Sequence, residues 1–257
     1  MFISPTEFQS VYFLVFTTFS VNYCMQIAIL SDIHSNLPAL EAIFSYLKSN
    51  NIEKIFCLGD IVGYGPFPNE CIELVRQKCF RTISGNHDLA QLKKIPIKNF
   101  NKMGKKTLLW TEKIITEENK KFLETLPLNV IWQNLTFVHA SPLNPENFQY
   151  IFTYQEAEEA FRGFKTSICF IGHTHIPALI SEDLSSTKLE HEKRFIINVG
   201  SVGQPRDGIP KTSFGIFDTK EWMYQNIRLE YDIQKTIDAL KKFKLPSILS
   251  RRLIIGL

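Results

Sequence analysis

Five of the six histidines follow short apolar segments, in loops that also hold aspartate or asparagine. The first segment, Ile27 to Leu30, is too short and too rich in branched residues for a helix and is typical of a buried strand. Asp32 and His34 come next, and since alternate residues of an extended chain point the same way, we expect both side chains to converge. Later segments end at further polar side chains, namely Asp60, Asn86 with His87, His139, and His173 with His175.

These side chains have the chemistry of metal ligands. A single histidine after a strand is more often a packed structural residue, but five in this arrangement are hard to explain by packing. Imidazole, carboxylate and amide groups without thiolate suit Mn²⁺, Fe or Zn²⁺ better than a structural cysteine-zinc site. Seven candidate ligands are too many for one tetrahedral ion and suit two ions, a pair that activates water and neutralises phosphate oxygens. The pattern therefore predicts phosphoryl chemistry.

The elements that carry the first three loops predict a largely parallel sheet. The predicted strands are 27–30, 55–58 and 80–84, and the predicted helices between them are 37–47 and 70–77. Asn36 is the predicted N-cap of the first helix. This βαβαβ order indicates parallel strands covered by helices, and α/β proteins bind ligands beyond the carboxyl ends of such strands.

The second half of the chain predicts different elements. Residues 89–127 predict two or three helices, inserted over the site as a helical cap, around 102–115 and 117–126. Strands are predicted at 129–132, 135–138 and 168–171, with a helix at 154–164. Four short strands follow near 178–181, 194–199, 213–218 and 222–229, and their alternation predicts antiparallel pairing in a second sheet.

The composition sets broad limits. The 257 residues are 44% hydrophobic and 21% charged, which suits a globular chain with a sizeable core. The formal net charge of +3 is too small to predict a stable nucleic-acid complex. Six lysines between 93 and 106 favour a solvated helical face over an electropositive lid for phosphate. Five cysteines without CxxC spacing predict reduced thiols and a cytoplasmic protein.

Residues 1–24 fit the remainder of the chain poorly. Their apolar part, Val11 to Phe19, has no preceding basic residue and is shorter than the ~20 residues that span a bilayer. We expect the fold to begin at Met25, with residues 1–24 an upstream extension from a misassigned start; a weak export signal is the alternative. Residues 25–257 are then expected to form a single domain without a membrane segment.

Five ordered blocks resemble those of the calcineurin-like metallophosphoesterases. They are Asp32-x-His34, Gly59-Asp60, Gly85 to Asp88, His139 and Gly172 to His175. The resemblance runs from Met25 to about residue 220. It implies an α/β fold in four layers, an αββα sandwich with two central mixed β-sheets, and a site for two divalent metal ions.

The resemblance also implies a role for each residue. One ion would be held by Asp32, His34 and His175, and the other by Asn86, His139 and His173, with Asp60 bridging them. His87 would be the general acid near the leaving group and not a ligand, a role that imidazole suits near neutral pH. Asp88 would orient a neighbouring ligand.

Within that family the sequence is most similar to small prokaryotic phosphoesterases. The segments that carry this similarity are 59–66, 198–208 and 245–253. Protein serine/threonine phosphatases and diadenosine tetraphosphate hydrolases have Asp-Arg-Gly after the Gly-Asp block, and their arginine grips phosphate; here Gly63-Tyr64-Gly65 stands there. Arg206, in a Gly/Pro-rich loop, and Tyr64 are candidate substrate contacts, with turn stabilisation and packing as the respective alternatives.

We therefore expect a metal-dependent phosphodiesterase that acts on a small phosphate ester, with a nucleotide among the options. Manganese is the first expectation for both ions, with Fe and Zn²⁺ as alternatives. A phosphomonoesterase or nucleotide pyrophosphatase is the alternative with the same chemistry. A non-catalytic protein-binding scaffold on the same fold is the alternative from another class.

Overall fold

The computed structural model describes residues 26–257. The predicted extension at residues 1–24 and the predicted start at Met25 lie outside the described residues. The strands of the described part are β1 (Gln26–Leu30), β2 (Lys54–Cys57), β3 (Arg81–Thr82), β4 (Asn129–Trp132), β5 (Leu135–Val138), β6 (Ile168–Ile171), β7 (Ala178–Ser181), β8 (Phe195–Asn198), β9 (Thr212–Asp218) and β10 (Met223–Leu229).

The helices of the same part are α1 (Leu37–Ser49), α2 (Pro68–Lys78), α3 (Asn86–Gln91), α4 (Lys102–Thr111), α5 (Glu117–Glu124), α6 (Tyr154–Ala160), α7 (Ile233–Lys242) and α8 (Ser247–Ile255). Short 3₁₀ turns lie at Ile97–Asn99, Pro145–Asn147 and Phe161–Gly163. None of the helices between residues 26 and 257 is long and apolar enough to cross a membrane.

The strands form two five-stranded mixed sheets. The first has the order β10-β9-β1-β2-β3, with β1, β2 and β3 parallel and β9 antiparallel to both neighbours. The second has the order β4-β5-β6-β8-β7, with β5, β6 and β8 parallel and antiparallel strands at both edges. The parallel strands of each sheet are therefore central or adjoin the centre, and their carboxyl ends carry the loops of the site.

The prediction that the last four strands pair antiparallel in the second sheet is wrong in two respects. First, β9 and β10 extend the first sheet, with Ile27 of β1 opposite Phe217 of β9. All seven residues of β9 are buried, so this strand needs a partner on each edge, and β1 offers the edge that β2 leaves open. Second, β8 pairs parallel with β6, and only its pairing with β7 is antiparallel.

Strand β1 is buried on both faces. Ile27 and Ile29 pack between the two sheets, while Ala28 and Leu30 pack against α1 and α2 on the outer face. This double burial explains why the strand is a continuous apolar run without alternation. Asn36 caps α1 as predicted, accepting from the Ala39 N–H at 3.4 Å.

Three apolar clusters define the layers. The cluster between the sheets contains Phe56 from the first sheet and Phe137 and Phe170 from the second. A second cluster joins the outer face of the first sheet to α1, α2 and α5, and a third joins the outer face of the second sheet to α6. The order helix, sheet, sheet, helix confirms the predicted αββα sandwich.

Replacing Phe137 with alanine tests the position of the central core. Phe137 is 1% exposed, and its ring stacks on that of Phe56 with centroids 4.1 Å apart. The cavity left by Phe137→Ala should lower the free energy of unfolding by about 3–5 kcal/mol, measured by urea denaturation. Ile131→Ala on β4, where the side chain is 68% exposed, is the control and should change it by less than about 0.5 kcal/mol. Similar losses in both variants would contradict a core between the sheets.

Candidate metal centre

Loops from both sheets meet at one end of the sandwich. Asp32 and His34 follow β1, and Asp60 follows β2. His139 comes directly after β5 of the second sheet. The remaining predicted ligands are Asn86, at the start of α3, and His173 and His175, which follow β6.

The first group of ligand atoms joins the two sheets. The Oδ1 atom of Asp32 lies 3.2 Å from Nε2 of His175, and that nitrogen lies 3.1 Å from Nε2 of His34. The three side chains are buried, and each brings one ligand atom within 4.8 Å of the others. Three ligand atoms at this spacing can hold one cation.

A second group adjoins the first. Nε2 of His139 lies 3.4 Å from Oδ2 of Asp60 and 3.1 Å from Nδ1 of His173. The same Asp60 oxygen is 3.7 Å from Nε2 of His34, so it lies between a histidine of each group. Asp32 Oδ1 is also 3.9 Å from Nε2 of His139. Both carboxylates thus reach both groups.

Backbone carbonyls orient three of the four imidazoles. In each of the three, Nδ1 contacts a carbonyl oxygen while Nε2 points to the centre. The pairs are His34 with Val62 at 3.0 Å, His139 with Leu58 at 2.8 Å, and His175 with Gln204 at 2.6 Å. An N–H at Nδ1 donates to the carbonyl and leaves the Nε2 lone pair free, the arrangement that metal-binding histidines use. The fourth, His173, turns Nδ1 to the centre.

Backbone amides hold one oxygen of each carboxylate. Oδ2 of Asp32 accepts from the His173 N–H at 2.8 Å, and Oδ1 of Asp60 accepts from the His87 N–H at 2.8 Å. The other oxygen of each side chain faces the imidazoles. Oδ1 of Asp32 and Oδ1 of Asn86 are buried without a hydrogen-bond partner among the described residues. Buried acceptors are rarely left unpaired, and a cation among the imidazoles would satisfy Oδ1 of Asp32, so these residues fit a metal ion.

Burial sets the protonation of three histidines. It lowers the pKa of His34 and of His175, and it lowers the pKa of His173 to about 3. These imidazoles are therefore neutral at pH 7, and a neutral imidazole is the form that binds metal.

The carboxylates favour a positive charge between them. Burial alone would raise the pKa of both carboxyls, but neighbouring imidazoles outweigh it and hold the pKa of Asp32 and of Asp60 below the ordinary value. For His139 burial alone would lower the pKa, but the negative charges of Asp60 and Asp32 outweigh it and raise the pKa to about 10. A divalent cation supplies the positive charge that this point favours.

The loops do not continue the strands in extended form. Asp32 has a φ of 54° and His34 a φ of 48°, both in the left-handed region. The expectation that an extended chain aligns these side chains is therefore wrong, because a turn brings them together. Asp60, His173 and His175 have φ values of 50°, 66° and 63°. Non-glycine residues in this conformation are strained and cluster at functional sites.

His87 lies beside the first group. It stands in the first turn of α3, and its ring centroid is 4.8 Å from those of His34, Tyr64 and Phe100. Burial lowers the pKa of His87 to about 4, against an opposing effect of Asp60. Its ligand atom also lies within 4.8 Å of those of His34 and Asp60. Distance alone is therefore compatible with a ligand as well as with an acid.

Asp88 acts on backbone rather than on side chains. One carboxylate oxygen accepts from the N–H groups of Ile61 and Val62, at 3.0 and 3.2 Å, and the other accepts from the Gly85 N–H at 3.0 Å. Burial raises the pKa of Asp88 to about 7. Its link to a predicted ligand is indirect, because the Val62 carbonyl is the one that contacts His34.

Tyr64 and Arg206 lie together at one side of the centre. The guanidinium carbon of Arg206 is 5.9 Å from the Tyr64 ring centroid, and the backbone N–H of Arg206 donates to the His175 carbonyl at 3.3 Å. Tyr64 is only 5% exposed, and its hydroxyl accepts from the Asn101 amide at 3.2 Å. Packing therefore buries nearly all of the Tyr64 side chain, which favours the packing alternative for this residue. Arg206 is only half-buried.

An aromatic group that was not expected from the sequence lies at the opposite side of the centre. The Tyr150 ring stacks on that of His173 with centroids 4.0 Å apart, and Phe148 lies 6.0 Å from His139. Residues 148, 150, 152 and 154 are all aromatic, in a segment with no core strand. These aromatic residues at alternate positions, shortly after the predicted ligand His139, are the sequence signal from which the group could have been predicted.

Comparison with known proteins agrees with this site. Residues 25–222 match the calcineurin-like phosphoesterase superfamily domain. The chain therefore belongs to this superfamily of metal-dependent hydrolases, which act on phosphoric esters. This membership confirms the resemblance drawn from the sequence.

Three relatives illustrate the match. The chain is 45% identical over 240 residues to the uncharacterized protein MJ0912 of Methanocaldococcus jannaschii, covering 90% of this chain and 98% of that protein. The crystal structure of a metallophosphoesterase from Sphaerobacter thermophilus has a TM-score of 0.81 at 38% identity, covering 91% of this chain and all of that one. Phosphodiesterase YfcE of Escherichia coli K12 is 24% identical over 207 residues, covering 76% of this chain and 88% of that protein.

Gly172→Ala tests the position of Asp32. A Cβ at Gly172 would overlap the Ser31 hydroxyl and Oδ2 of Asp32, so the carboxylate must move. We expect divalent metal affinity to fall about 10–100-fold, measured by metal analysis after dialysis against graded Mn²⁺. Gly104→Ala in α4 is the control, because a Cβ there meets no atom closer than 3.4 Å, and its metal content should be unchanged. Full metal content in Gly172→Ala would contradict a ligand role for Asp32.

Proposed function

We propose that the protein is a metal-dependent phosphodiesterase for small phosphate esters. The observation that carries this proposal is that the buried carboxylates of Asp32 and Asp60 lie beside four buried imidazoles. The ligand atoms form two adjoining groups, at the spacing that two neighbouring metal ions require. Two divalent ions at such a site supply an activated hydroxide and neutralise phosphate oxygens. Family membership supports the reaction class.

We assign the ligands in two sets. Asp32, His34 and His175 would hold one ion, Asn86, His139 and His173 would hold the other, and Asp60 would serve both. The distances among Asp32, His34 and His175 and among Asp60, His139 and His173 support this assignment, as does the unpaired Oδ1 atom of Asn86. Mn²⁺ is the proposed metal, with Fe and Zn²⁺ as alternatives, because mixed imidazole, carboxylate and amide ligands suit all three.

His87 is proposed to protonate the leaving oxygen. Its position beside His34, with its ligand atom within 4.8 Å of those of His34 and Asp60, supports a group that adjoins the reacting phosphate. The pKa of His87 is about 4 without substrate, so the ring is neutral at pH 7. A bound phosphate adds negative charge next to the ring and raises that pKa, which favours the protonated form when substrate is present.

Arg206 is proposed to bind a phosphate oxygen. Its guanidinium donates to the Gln204 side chain at 3.1 Å and forms no ion pair with any residue of the described chain. A half-buried arginine without a carboxylate partner, next to His175, is available for an anion. The Tyr64 ring faces this guanidinium and lies on the same side of the site.

The diester preference rests on the relatives and on a missing residue. YfcE is named as a phosphodiesterase. The Gly63-Tyr64-Gly65 segment lacks the phosphate-binding arginine that protein serine/threonine phosphatases have at this place. A phosphomonoesterase or nucleotide pyrophosphatase would use the same centre, and a non-catalytic scaffold would need neither His87 nor the complete ligand set.

Residues 25–257 are proposed to work as one cytoplasmic domain, with 89–127 as a cap. The Phe100 ring contacts His87, and the Thr107 hydroxyl accepts from the Tyr64 N–H at 3.1 Å, so the insertion adjoins the centre. The four cysteines of the described chain are free thiols, in keeping with a reducing compartment.

The decisive experiment is hydrolysis of bis-p-nitrophenyl phosphate by the purified full chain. We expect p-nitrophenol release with Mn²⁺, loss of release with EDTA, recovery on adding Mn²⁺ again, and little release by Asp60→Asn. Faster release from p-nitrophenyl phosphate would favour the monoesterase alternative. No hydrolysis of either ester with Mn²⁺, Fe²⁺ or Zn²⁺, together with co-purifying proteins, would favour the scaffold.

His87→Ala separates an acid from a ligand. We expect kcat to fall by about 100-fold or more while metal content stays at the wild-type level, because only proton transfer is removed. His191→Ala is the control, since this sixth histidine stacks on Trp222 away from the centre. Loss of metal in His87→Ala would instead assign His87 as a ligand.

A further inference from the structure

Two exposed aromatic rings continue outward from the metal centre. Tyr150 stacks on His173 at 4.0 Å, and Phe152 stacks on Tyr150 with centroids 5.1 Å apart and planes 15° from parallel. We name Tyr150 and Phe152 the aromatic shelf. The shelf is a stack of nearly parallel rings whose inner end is a proposed metal ligand and whose outer end is in solvent.

Folding does not account for the outer ring. Phe152 is 62% exposed and Tyr150 is 44% exposed, while the phenylalanines of the central core are almost fully buried. A large apolar side chain left in water gives little stability, and adjoining exposed apolar groups mark interaction sites. The exposed ring faces beside a phosphoesterase centre therefore suggest contact with a substrate.

Phe152 also forms one wall of an open groove of about 760 Å³. The groove reaches Thr174, which stands between His173 and His175, and its outer part includes the exposed side chains of Ile176 and Leu184. Its volume is in the usual range for small-molecule sites. None of the predicted ligands lines the groove, and Phe152 is the residue that the groove shares with the aromatic shelf.

The groove has no charged lining. Its residues are Ile151, Phe152, Thr153, Tyr154, Ile171, Thr174, Ile176, Ala178, Leu179, Ile180, Ser181, Leu184, Ser186, Thr187 and Asn198. A second phosphate would find no cation here, whereas a flat, uncharged ring would find aromatic and aliphatic surface. The lining therefore selects against a polyphosphate arm and for a nucleobase.

We propose that the aromatic shelf and this groove bind the base of a nucleotide substrate whose phosphate lies at the metal centre. The inference rests on the proposed function for the position of the phosphate. Every base has a π-face, so stacking on Phe152 predicts affinity for nucleotides with broad tolerance for the base.

The test compares two ligands that differ only in the base, adenosine 5′-phosphate and ribose 5-phosphate. Binding to the full chain with Mn²⁺ is measured by calorimetry, or as KM if the protein hydrolyses these esters. We expect adenosine 5′-phosphate to bind about ten-fold more tightly, and Phe152→Ala to remove that difference without changing ribose 5-phosphate. Phe152→Trp should retain the difference because it retains a planar ring.

Ile131→Ala is the matched control, since this side chain is as exposed as Phe152 and lies on the edge strand β4. Equal affinity of wild type for the two ligands, or equal weakening of both by Phe152→Ala, would overturn the proposal. Octyl phosphate supplies a further arm. If it binds as tightly as adenosine 5′-phosphate and depends equally on Phe152, the groove holds an aliphatic chain and the base assignment is wrong.

The two proposals can fail separately. A base preference that depends on Phe152, in a protein that hydrolyses no ester, would support the shelf and contradict the phosphodiesterase. Metal-dependent hydrolysis of bis-p-nitrophenyl phosphate without any base preference would support the enzyme and overturn the shelf.

Discussion

The burial of two carboxylates, Asp32 and Asp60, is the constraint on which the rest of the structure depends. They are 0% and 1% exposed, and an ionised carboxylate at such a place is costly unless positive groups and hydrogen-bond donors surround it. One oxygen of each is satisfied by a backbone N–H from a distant loop. The other needs cationic partners, and imidazoles alone supply only part of that charge. Both sheets must therefore end at the same point, because no single loop contains enough partners.

That meeting of loops explains the small residues beside the ligands. Gly85 packs directly on Asp60, and Gly172 packs on Asp32, so a Cβ at either position would displace a carboxylate. Five of the seven predicted ligands adopt left-handed backbone, which costs on the order of 1–3 kcal/mol for each residue. The packing of the sandwich, including the stacked Phe56 and Phe137 rings between the sheets, must offset this strain. The free energy gained by packing the core therefore stabilises the strained backbone of the site.

Local pattern predicted the parts of the molecule that local physics determines. The apolar run of β1, the Asn36 cap and the polar residues after each strand follow from neighbouring residues, and the structure has them. The partner of β9 does not follow from neighbours, because a fully buried strand can pair with any open edge, and only the assembled sheets determine which. The convergence of Asp32 and His34 was predicted from extended geometry, and the two side chains do converge, but through left-handed backbone against which Gly172 and Gly203 pack closely.

The two sides of the metal centre differ in charge, and under the proposed function this difference would orient a substrate. Arg206 and His87 lie on the side of His34 and His175, while the aromatic shelf lies against His173 and opens to an uncharged groove. If the base lies on the shelf, its phosphate would lie at the centre and the other ester oxygen would face His87. The proton donor and the base-binding surface then serve opposite ends of one diester. A site built in this way distinguishes the alcohol that leaves from the nucleotide that stays, which a symmetrical pair of metal ions cannot do.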